Sequence, residues 1–171
     1  TSIVQAVSAE DIGKLPDSSI AESLARLPGV TGQRVNGRTS AISIRGFGQD
    51  FVAATMNGRE LLGMGDNRGV EFDLYPAEIV ARATVYKSPT ATLLTQGVAG
   101  TVDLQTIRPL DAPSTIALNG TYEMNDLSAL NPDMDDTGFR AAGTYVDKFF
   151  GDTFGVALTV ATMESPSQEE W

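Results

Sequence analysis

The chain has 171 residues, no cysteine, no histidine and a net charge of -10. This length suits one domain, or one domain and part of another. The missing cysteines exclude disulfides and thiolate catalysis, and the missing histidines remove the commonest general base and transition-metal ligand. Residues 1–110 carry 10 basic and 11 acidic side chains, whereas residues 111–171 carry 2 and 11. We therefore expect a domain boundary within RPLDAP, and no binding to nucleic acid, whose phosphates require a basic surface.

No apolar run approaches the roughly 20 residues of a membrane-spanning helix. No signal peptide opens the chain, and a start of TSIVQAVSAED is typical of a mature or trimmed product. We therefore do not take the missing signal as an argument for the cytoplasm.

Helix signals come first along the chain. Ser8 and Asp11 fit a loose capping box, and Ser19 and Glu22 fit a better one of the form S-x-x-E. Apolar residues then follow at i, i+4 and i+7, which predicts one buried helical face. These residues are Ile20, Leu24 and Leu27. Pro28-Gly29 is expected to end this helix.

From Val30 to Thr106 the pattern predicts strands and tight turns. The predicted strands are 41–45, 51–56, 59–62, 83–87 and 101–106. In the first of them, Ile42 and Ile44 alternate with Ser43 and Arg45, which indicates two different faces. The turn signals are Gly46, Asn57, Gly58, Pro89, Gly97 and Gly100. Pro76 and Pro89 suit the first turns of short helices.

After residue 110 the chain shows three segments in which large apolar residues alternate with small or polar ones. They are residues 115–123, 138–146 and 153–163. Segments of about 10 residues with this alternation are typical of transmembrane β-barrels, and also occur in soluble antiparallel sheets. The connection 125–137 is long and acidic whereas 147–152 is short, and this difference favours a barrel, which alternates long external loops with short turns.

Several motifs together resemble the plug domain of TonB-dependent outer-membrane transporters. They are SIAESLARLPGV (residues 19–30), ISIRGFG (42–48), MNGREL (56–61) and YPAEIVARATVYKSPTATLLTQGVAGTVDLQT (75–106). Three positions depart from the usual family pattern. Thr84 stands where many members have Glu, and Ser88 and Thr101 stand where many have Gly. The form IRGFG…NGRE…VYKSP is similar to a large proteobacterial branch whose members often import carbohydrates.

The resemblance implies an α+β plug domain, with a small mixed sheet and short helices, over residues 1–110. Residues 111–171 would be the first antiparallel strands of a 22-stranded barrel in the outer membrane, and the plug would fill the barrel lumen and face the periplasm. The implied partners are a TonB-type energy-coupling protein, the chain's own barrel beyond Trp171, membrane lipid and a small-molecule ligand. The TonB-contact segment is expected before Thr1. No enzyme activity, cofactor or metal is implied.

The resemblance also implies two groups of functional residues. In the family, basic plug residues pair with barrel glutamates and lock the plug, and here these are Arg45, Lys87 and Arg82. We expect Arg45 and Lys87 to face the barrel wall. Ligand contacts come from apical plug loops, here residues 47–51 (FGQDF, the first loop) and 62–71 (LGMGDNRGVE, the second loop). The candidate ligand contacts are Phe47, Gln49, Asp50, Phe51, Asp66, Asn67 and Arg68.

Two aromatic rings and few basic groups in these loops favour a carbohydrate over an anionic ferric siderophore. A soluble acidic ligand-binding or adhesive β-domain stays open as an alternative. So does an enzyme with paired carboxylates, such as a glycosidase. Asp133, Asp135 and Asp136 form an acidic cluster, but NPDMDD lacks the glycine and the final glutamate of the 12-residue calcium loop, so we expect a solvated loop there.

Overall fold

The computed structural model describes residues 3–8, 19–35, 38–88, 90–91, 93, 97–124 and 136–165. The chain forms two compact units, Thr1–Thr106 and Ile107–Trp171. Pro89, Asp11, Asp133 and Asp135 lie outside the described residues, so the helix start expected at Pro89 and most of the acidic cluster are not described.

The first unit is built on a five-stranded mixed sheet with the strand order β1-β6-β7-β4-β5. The strands are β1 (Val4–Ser8), β4 (Val52–Met56), β5 (Arg59–Glu60), β6 (Val80–Tyr86) and β7 (Gly100–Thr106). β7 runs parallel to β4 and antiparallel to β6. β7 therefore lies at the centre of the sheet, and its side chains Val102 and Leu104 are completely buried.

A separate two-stranded sheet joins β2 (Val30–Val35) to β3 (Arg38–Ile44) in antiparallel pairing. The sequence predicted that Ser43 and Ile44 would lie on different faces of this strand, and β3 is buried on both faces from Thr39 to Ile44. Hydrogen bonds make this possible. Ser40 Oγ donates to Asp73 Oδ1 at 2.6 Å, and Ser43 Oγ donates to the carbonyl of Phe47 at 2.5 Å. Buried hydroxyls are tolerated when they are paired in this way.

Among the residues that the structure describes, the α-helix α1 (Ile20–Ala25) begins at the predicted cap. Ser19 Oγ accepts the backbone N–H of Glu22 at 3.3 Å, as expected for S-x-x-E. Ile20 and Leu24 are completely buried, and Leu27 packs against the core just beyond the helix end. The helix stops at Arg26, and Gly29 adopts a left-handed φ of 70° before β2.

Ser8 is the last residue of strand β1, and the short turn expected after it, with Asp11, lies outside the described residues. β1 pairs antiparallel with β6 from Val4 opposite Tyr86 to Ser8 opposite Arg82. This pairing partner lies far along the chain, so a local capping pattern gave no sign of it. β1 adds little apolar burial, since among its residues only Val7 belongs to the core.

Short 3₁₀ helices connect the strands of the first unit. They are Gln49–Phe51, Phe72–Leu74 and Ala77–Ile79. Pro76 precedes the last of them as predicted. The core that these elements enclose is apolar, and its largest completely buried side chains include Phe72, Ile20 and Leu24.

The second unit contains a three-stranded antiparallel sheet in the order β10-β9-β8. Its strands are β8 (Thr115–Met124), β9 (Thr137–Phe149) and β10 (Phe154–Glu164). The register aligns the large apolar residues on one face, for example Ile116 opposite Tyr145 and Leu158 opposite Tyr145. This face is exposed: Ile116 is 76% and Leu118 is 83% accessible. The predicted alternation is therefore present.

No helix among the described residues has both the length and the apolar character needed to cross a membrane. The predicted fold class, a mixed plug sheet with short helices followed by antiparallel strands, is confirmed.

The double role of Ser19 gives a test of the fold. Its hydroxyl caps α1 and also donates to the carbonyl of Thr39 at 2.9 Å, which joins the helix to β3. We expect Ser19→Ala to lower the free energy of unfolding by about 2 kcal/mol, because a lost cap costs about 1 kcal/mol and an unpaired buried carbonyl about as much again. Urea denaturation followed by circular dichroism measures this. Ser19→Asp keeps an acceptor for the helix cap, so we expect its free energy of unfolding to fall by about half as much. Equal losses in both variants would contradict the capping role.

Candidate functional site

A tight turn presents Arg45. Ile44 and Phe47 exchange both backbone hydrogen bonds, at 3.2 and 3.0 Å, and Arg45 and Gly46 between them have φ values of 54° and 81°. Two successive left-handed residues are typical of a type I′ turn. The backbone N–H of Arg45 also donates to the carbonyl of Gly29 at 2.8 Å, which fixes the turn to the chain after α1. A non-glycine residue in this conformation costs about 1 kcal/mol or more, so it is an unusual position for an arginine.

The Arg45 side chain is exposed, and it makes no ion pair with any residue that the structure describes. Arg82 is also exposed, on β6, and likewise has no ion-pair partner in the described ranges. Both guanidinium groups are therefore available to a partner outside this unit.

Lys87 differs from these two arginines. It is only 5% accessible, and its ammonium group donates to Gln5 Oε1 at 2.5 Å and to the carbonyl of Pro28. Its backbone N–H donates to the carbonyl of Ile3 at 2.9 Å. Lys87 therefore joins β1, the end of α1 and the end of β6. We expected Lys87 to face outward to the barrel wall; in the unit as described, its ammonium is directed inward and is satisfied.

Two effects act on the charge of Lys87. Burial, followed by the positive charge of Arg45, lowers the pKa of Lys87 below its ordinary value of 10.5. Both residues also bind neighbouring carbonyls of one short segment: the carbonyl of Pro28 accepts the Lys87 ammonium, and the carbonyl of Gly29 accepts the backbone N–H of Arg45.

The first loop combines a 3₁₀ helix with two aromatic rings. Phe47 and Phe51 make an edge-to-face contact with ring centroids 6.0 Å apart and an interplanar angle of 67°. Each ring is half exposed, at 49% and 50%. Edge-to-face pairing is a preferred aromatic geometry and holds both rings in place. One face of this pair is thus available to a flat, apolar ligand surface.

The second loop closes on itself through its glycines. A Cβ on Gly63 would lie 1.9 Å from the carbonyl oxygen of Gly69, so the two backbones approach too closely for any side chain at position 63. Asn67 Oδ1 accepts the N–H of Gly69 at 3.0 Å, which forms a local turn. Glu71 accepts the N–H groups of Met64 at 2.9 Å and Gly65 at 3.2 Å, one on each carboxylate oxygen.

The two loops are joined to each other. Asp50 Oδ1 accepts the backbone N–H of Arg68 at 3.1 Å. The side chain of Gln49 covers Gly69, where an added Cβ would lie 2.7 Å from the Gln49 Cγ and Cδ atoms. Five of the seven candidate ligand residues thus use their side chains for contacts within or between the loops. Those five are Phe47, Gln49, Asp50, Phe51 and Asn67. The side chains of Asp66 and Arg68 are exposed.

The crevice next to these loops has no space for a water molecule. It is lined by Ile42, Gln49, Val52, Ala54, Val70 and Phe72. This crevice is therefore too narrow to hold a ligand. In the described part of the chain, no three acidic residues come together in a way that would hold a metal ion.

The predicted turn residues lie in tight backbone segments. Asn57 and Gly58 have φ values of 52° and 77° between β4 and β5, and Asn57 also exchanges hydrogen bonds with Thr106 at 2.9 and 3.0 Å. Gly97 and Gly100 precede and begin β7, where a Cβ on Gly97 would lie 2.5 Å from the Gly100 oxygen.

Sequence reasoning did not single out Glu71. The signal that it missed was an acidic residue directly after a glycine-rich loop with many free N–H groups.

Comparison with known proteins decides the family. A family model described as the TonB-dependent Receptor Plug Domain matches residues 1–102. The chain belongs to this family. The match covers the α/β unit with its turn at Arg45, both loops and Lys87, and it confirms the resemblance read from the sequence. A search among functionally curated proteins gives no significant match.

Three solved structures share the fold of the plug and the strands that follow it. The outer-membrane transporter YddB of Escherichia coli is 16% identical, with a TM-score of 0.67 over 94% of this chain and 26% of its own. The Serratia marcescens receptor HasR, solved with the hemophore HasA and heme, is 16% identical with a TM-score of 0.59 over 92% and 23%. The copper transporter OprC is 17% identical with a TM-score of 0.56 over 86% and 24%. The chain thus spans about a quarter of each of these proteins.

Members of the plug family are outer-membrane receptors and transporters, in which the plug lies in a barrel. The prediction that the chain is not an enzyme is confirmed by this membership. Membership also disfavours the two alternatives left open by the sequence, the soluble adhesive domain and the carboxylate enzyme. The roles of Arg45, Lys87, Arg82 and the loop residues stay predictions.

The lowered pKa of Lys87 predicts an effect of pH on the free energy of unfolding. Because the pKa of Lys87 is lower in the folded chain than its ordinary 10.5, the unfolded chain binds more protons between these two values. The free energy of unfolding due to this group therefore rises as pH increases toward 10.5. Arg45→Gln removes the repulsion, so we expect a smaller rise, measured by urea denaturation at a series of alkaline pH values. Arg82→Gln is the matched control, and a wild-type profile in Arg45→Gln would show that Arg45 does not act on Lys87.

Proposed function

We propose that the chain is the plug and the start of the barrel of a TonB-dependent transporter. This transporter would bind a scarce nutrient outside the cell and import it actively into the periplasm. The observation that carries the proposal is the family match over residues 1–102, which spans the unit that holds the two loops and the turn at Arg45. We assign residues 1–110 to the plug and 111–171 to the first barrel strands.

The second unit supports the barrel assignment. Its strands are 10 to 13 residues long, which suits the roughly 9–11 residues that cross a bilayer at a tilt. One face is apolar and exposed, as a lipid-facing surface requires, while the other carries small and polar residues. The sheet also has two open edges, β8 and β10, that further strands of a barrel would pair. The proposed partners are therefore membrane lipid and the rest of the barrel beyond Trp171.

A TonB-type energy-coupling protein is the further partner that we propose, with its contact segment before Thr1. Family membership supports this partner, since the family is defined as TonB-dependent. The location is the outer membrane, with the plug inside the barrel lumen and facing the periplasm.

For the ligand, we propose a carbohydrate. The exposed ring pair Phe47 and Phe51 offers a stacking surface. The two loops carry three carboxylates, Asp50, Asp66 and Glu71, against a single basic side chain, Arg68. This net negative charge repels a polyanionic iron chelate and accepts a neutral sugar. A ferric siderophore is the competing ligand.

The ligand class is tested with the intact transporter. We expect neutral oligosaccharides, from malto- and xylo-oligosaccharide series, to bind, and Phe51→Ala to weaken binding about fivefold or more, since truncating a central aromatic contact costs over ~1 kcal/mol. Binding is measured by calorimetry in detergent. Phe150→Ala removes a ring that is 84% exposed in the turn between β9 and β10, and serves as the matched control. Tight binding of ferric chelates, with induction under iron limitation and no response to oligosaccharides, would overturn the choice.

We also propose that Arg45 locks the plug to barrel carboxylates. Its fixed turn, its exposure and its lack of a partner in the described chain support this role. Arg82 is a second candidate on the same grounds. The support for Lys87 is weaker, because its ammonium is already satisfied by Gln5 and Pro28, and an outward role requires that these contacts break.

The lock is tested by conductance of the intact channel in planar bilayers. Arg45→Ala is expected to make the pore leaky, because removing one partner of a buried ion pair costs about 3–5 kcal/mol. Arg59→Ala, which removes an exposed arginine from the edge strand β5, is the control and should leave conductance at the wild-type level. Wild-type conductance in Arg45→Ala would count against the lock.

A further inference from the structure

The shape of the second loop depends on Glu71, which belongs neither to the family motifs nor to the candidate ligand residues. Its backbone N–H groups at Met64 and Gly65 point to Glu71, which accepts both, at 2.9 and 3.2 Å. Two donors on one carboxylate make a charge-assisted pair of hydrogen bonds, roughly twice as strong as neutral ones. The glycine-rich segment has little apolar burial of its own before Gly69 and Val70, so these bonds are a main source of its order.

A second carboxylate supports the loop from the other side. Asp50 accepts the N–H of Arg68 at 3.1 Å, and it belongs to the 3₁₀ helix Gln49–Phe51 of the first loop. Just outside these two attachment points, the backbones of Gly63 and Gly69 approach each other and close the loop. The segment 63–69 is thus held at both ends, and its exposed side chains, including Met64 at 83%, are directed to solvent.

We propose that Glu71 is a positioning residue for ligand binding, which shapes the second loop by binding its backbone and does not itself contact the ligand. The inference rests on the proposed function insofar as it concerns a ligand. Both oxygens of the Glu71 carboxylate already accept a hydrogen bond, and the side chain is half-buried. The cost of ordering the loop is therefore met before the ligand arrives, and preorganisation of this kind raises affinity without new contacts.

Two variants separate this role from a general effect on stability. Glu71→Ala removes both acceptors. Glu71→Gln keeps one acceptor oxygen and replaces the other with an amide donor, so it can restore one of the two bonds. Glu60→Ala is the matched control, because Glu60 is an exposed carboxylate on the edge strand β5.

The experiment is amide hydrogen exchange of the intact transporter in detergent, without ligand. We expect Glu71→Ala to speed exchange of the 62–69 segment about tenfold or more, since hydrogen bonds to charged groups contribute about that factor. Glu71→Gln should give an intermediate rate, and Glu60→Ala the wild-type rate. Amides of β4 should not change in any variant. Unchanged exchange in Glu71→Ala, or an equal increase in β4, would overturn the proposal.

A second pair of variants tests the same loop without substituting a carboxylate residue. Gly63→Ala places a methyl group against the Gly69 carbonyl, whereas Gly48→Ala, in the first loop, meets nothing within 4 Å. We expect faster exchange of segment 62–69 in Gly63→Ala and wild-type exchange in Gly48→Ala. Wild-type exchange in Gly63→Ala would overturn the closed-loop geometry on which the role of Glu71 depends.

Ligand affinity gives the functional readout, with a malto-oligosaccharide as the probe. We expect Glu71→Ala to weaken its binding about tenfold, Glu71→Gln to weaken it less, and Glu60→Ala to have no effect. Faster loop exchange in Glu71→Ala together with wild-type affinity would overturn the positioning role. If the wild-type protein binds no oligosaccharide, the carbohydrate assignment fails, and the exchange result still decides whether Glu71 shapes the loop.

Discussion

The parallel pairing of β4 with β7 is the contact on which the rest of the plug depends. Parallel strands need a long crossover, and here it contains the second loop, two 3₁₀ helices and β6. At its start, β4 continues directly from the first loop, and the carbonyl of Phe51 accepts the N–H of Ala99 just before β7. At its end, the Asn57-Gly58 turn is tied to Leu104 and Thr106 of β7. Both ends of this strand pair are thereby fixed, and they hold the first and second loops that adjoin them.

Local patterns predicted the parts of the fold that local chemistry determines. The cap at Ser19, the turn at Asn57-Gly58 and the alternation in the three long strands each depend on residues close in sequence, and all three are present. The β1 strand and the two-faced burial of β3 depend on distant partners. β1 has only five residues, one of them in the core, so its strand character comes from pairing with β6. No periodicity carries that information.

The roles of charged residues were the hardest to predict, because they depend on which groups contact each charge in the folded chain. The sequence grouped Arg45 with Lys87, yet one is exposed on a turn and the other is among the most buried polar residues of the plug. Asp50 was read as a ligand contact, and in the structure its carboxylate accepts a backbone N–H from the second loop. A glycine-rich loop has many N–H groups and few side chains to satisfy them, so nearby carboxylates are drawn to the backbone. That rule identifies Glu71 as well as Asp50.

Arg45 and Lys87 lie in different environments, so the loss of their contacts would affect the plug differently. Lys87 holds β1 through Gln5 and the Ile3 carbonyl, and it holds the end of α1 through Pro28. Release of its ammonium would therefore break the contacts with Gln5 in β1 and with Pro28 after α1, and would leave the carbonyl and amide oxygens there without that donor. Arg45 can gain or lose a partner while its turn, fixed by backbone bonds to Phe47 and Gly29, stays unchanged. In the transporter that we propose, a contact that forms and breaks is therefore better placed on Arg45, and a contact that keeps the plug folded is better placed on Lys87.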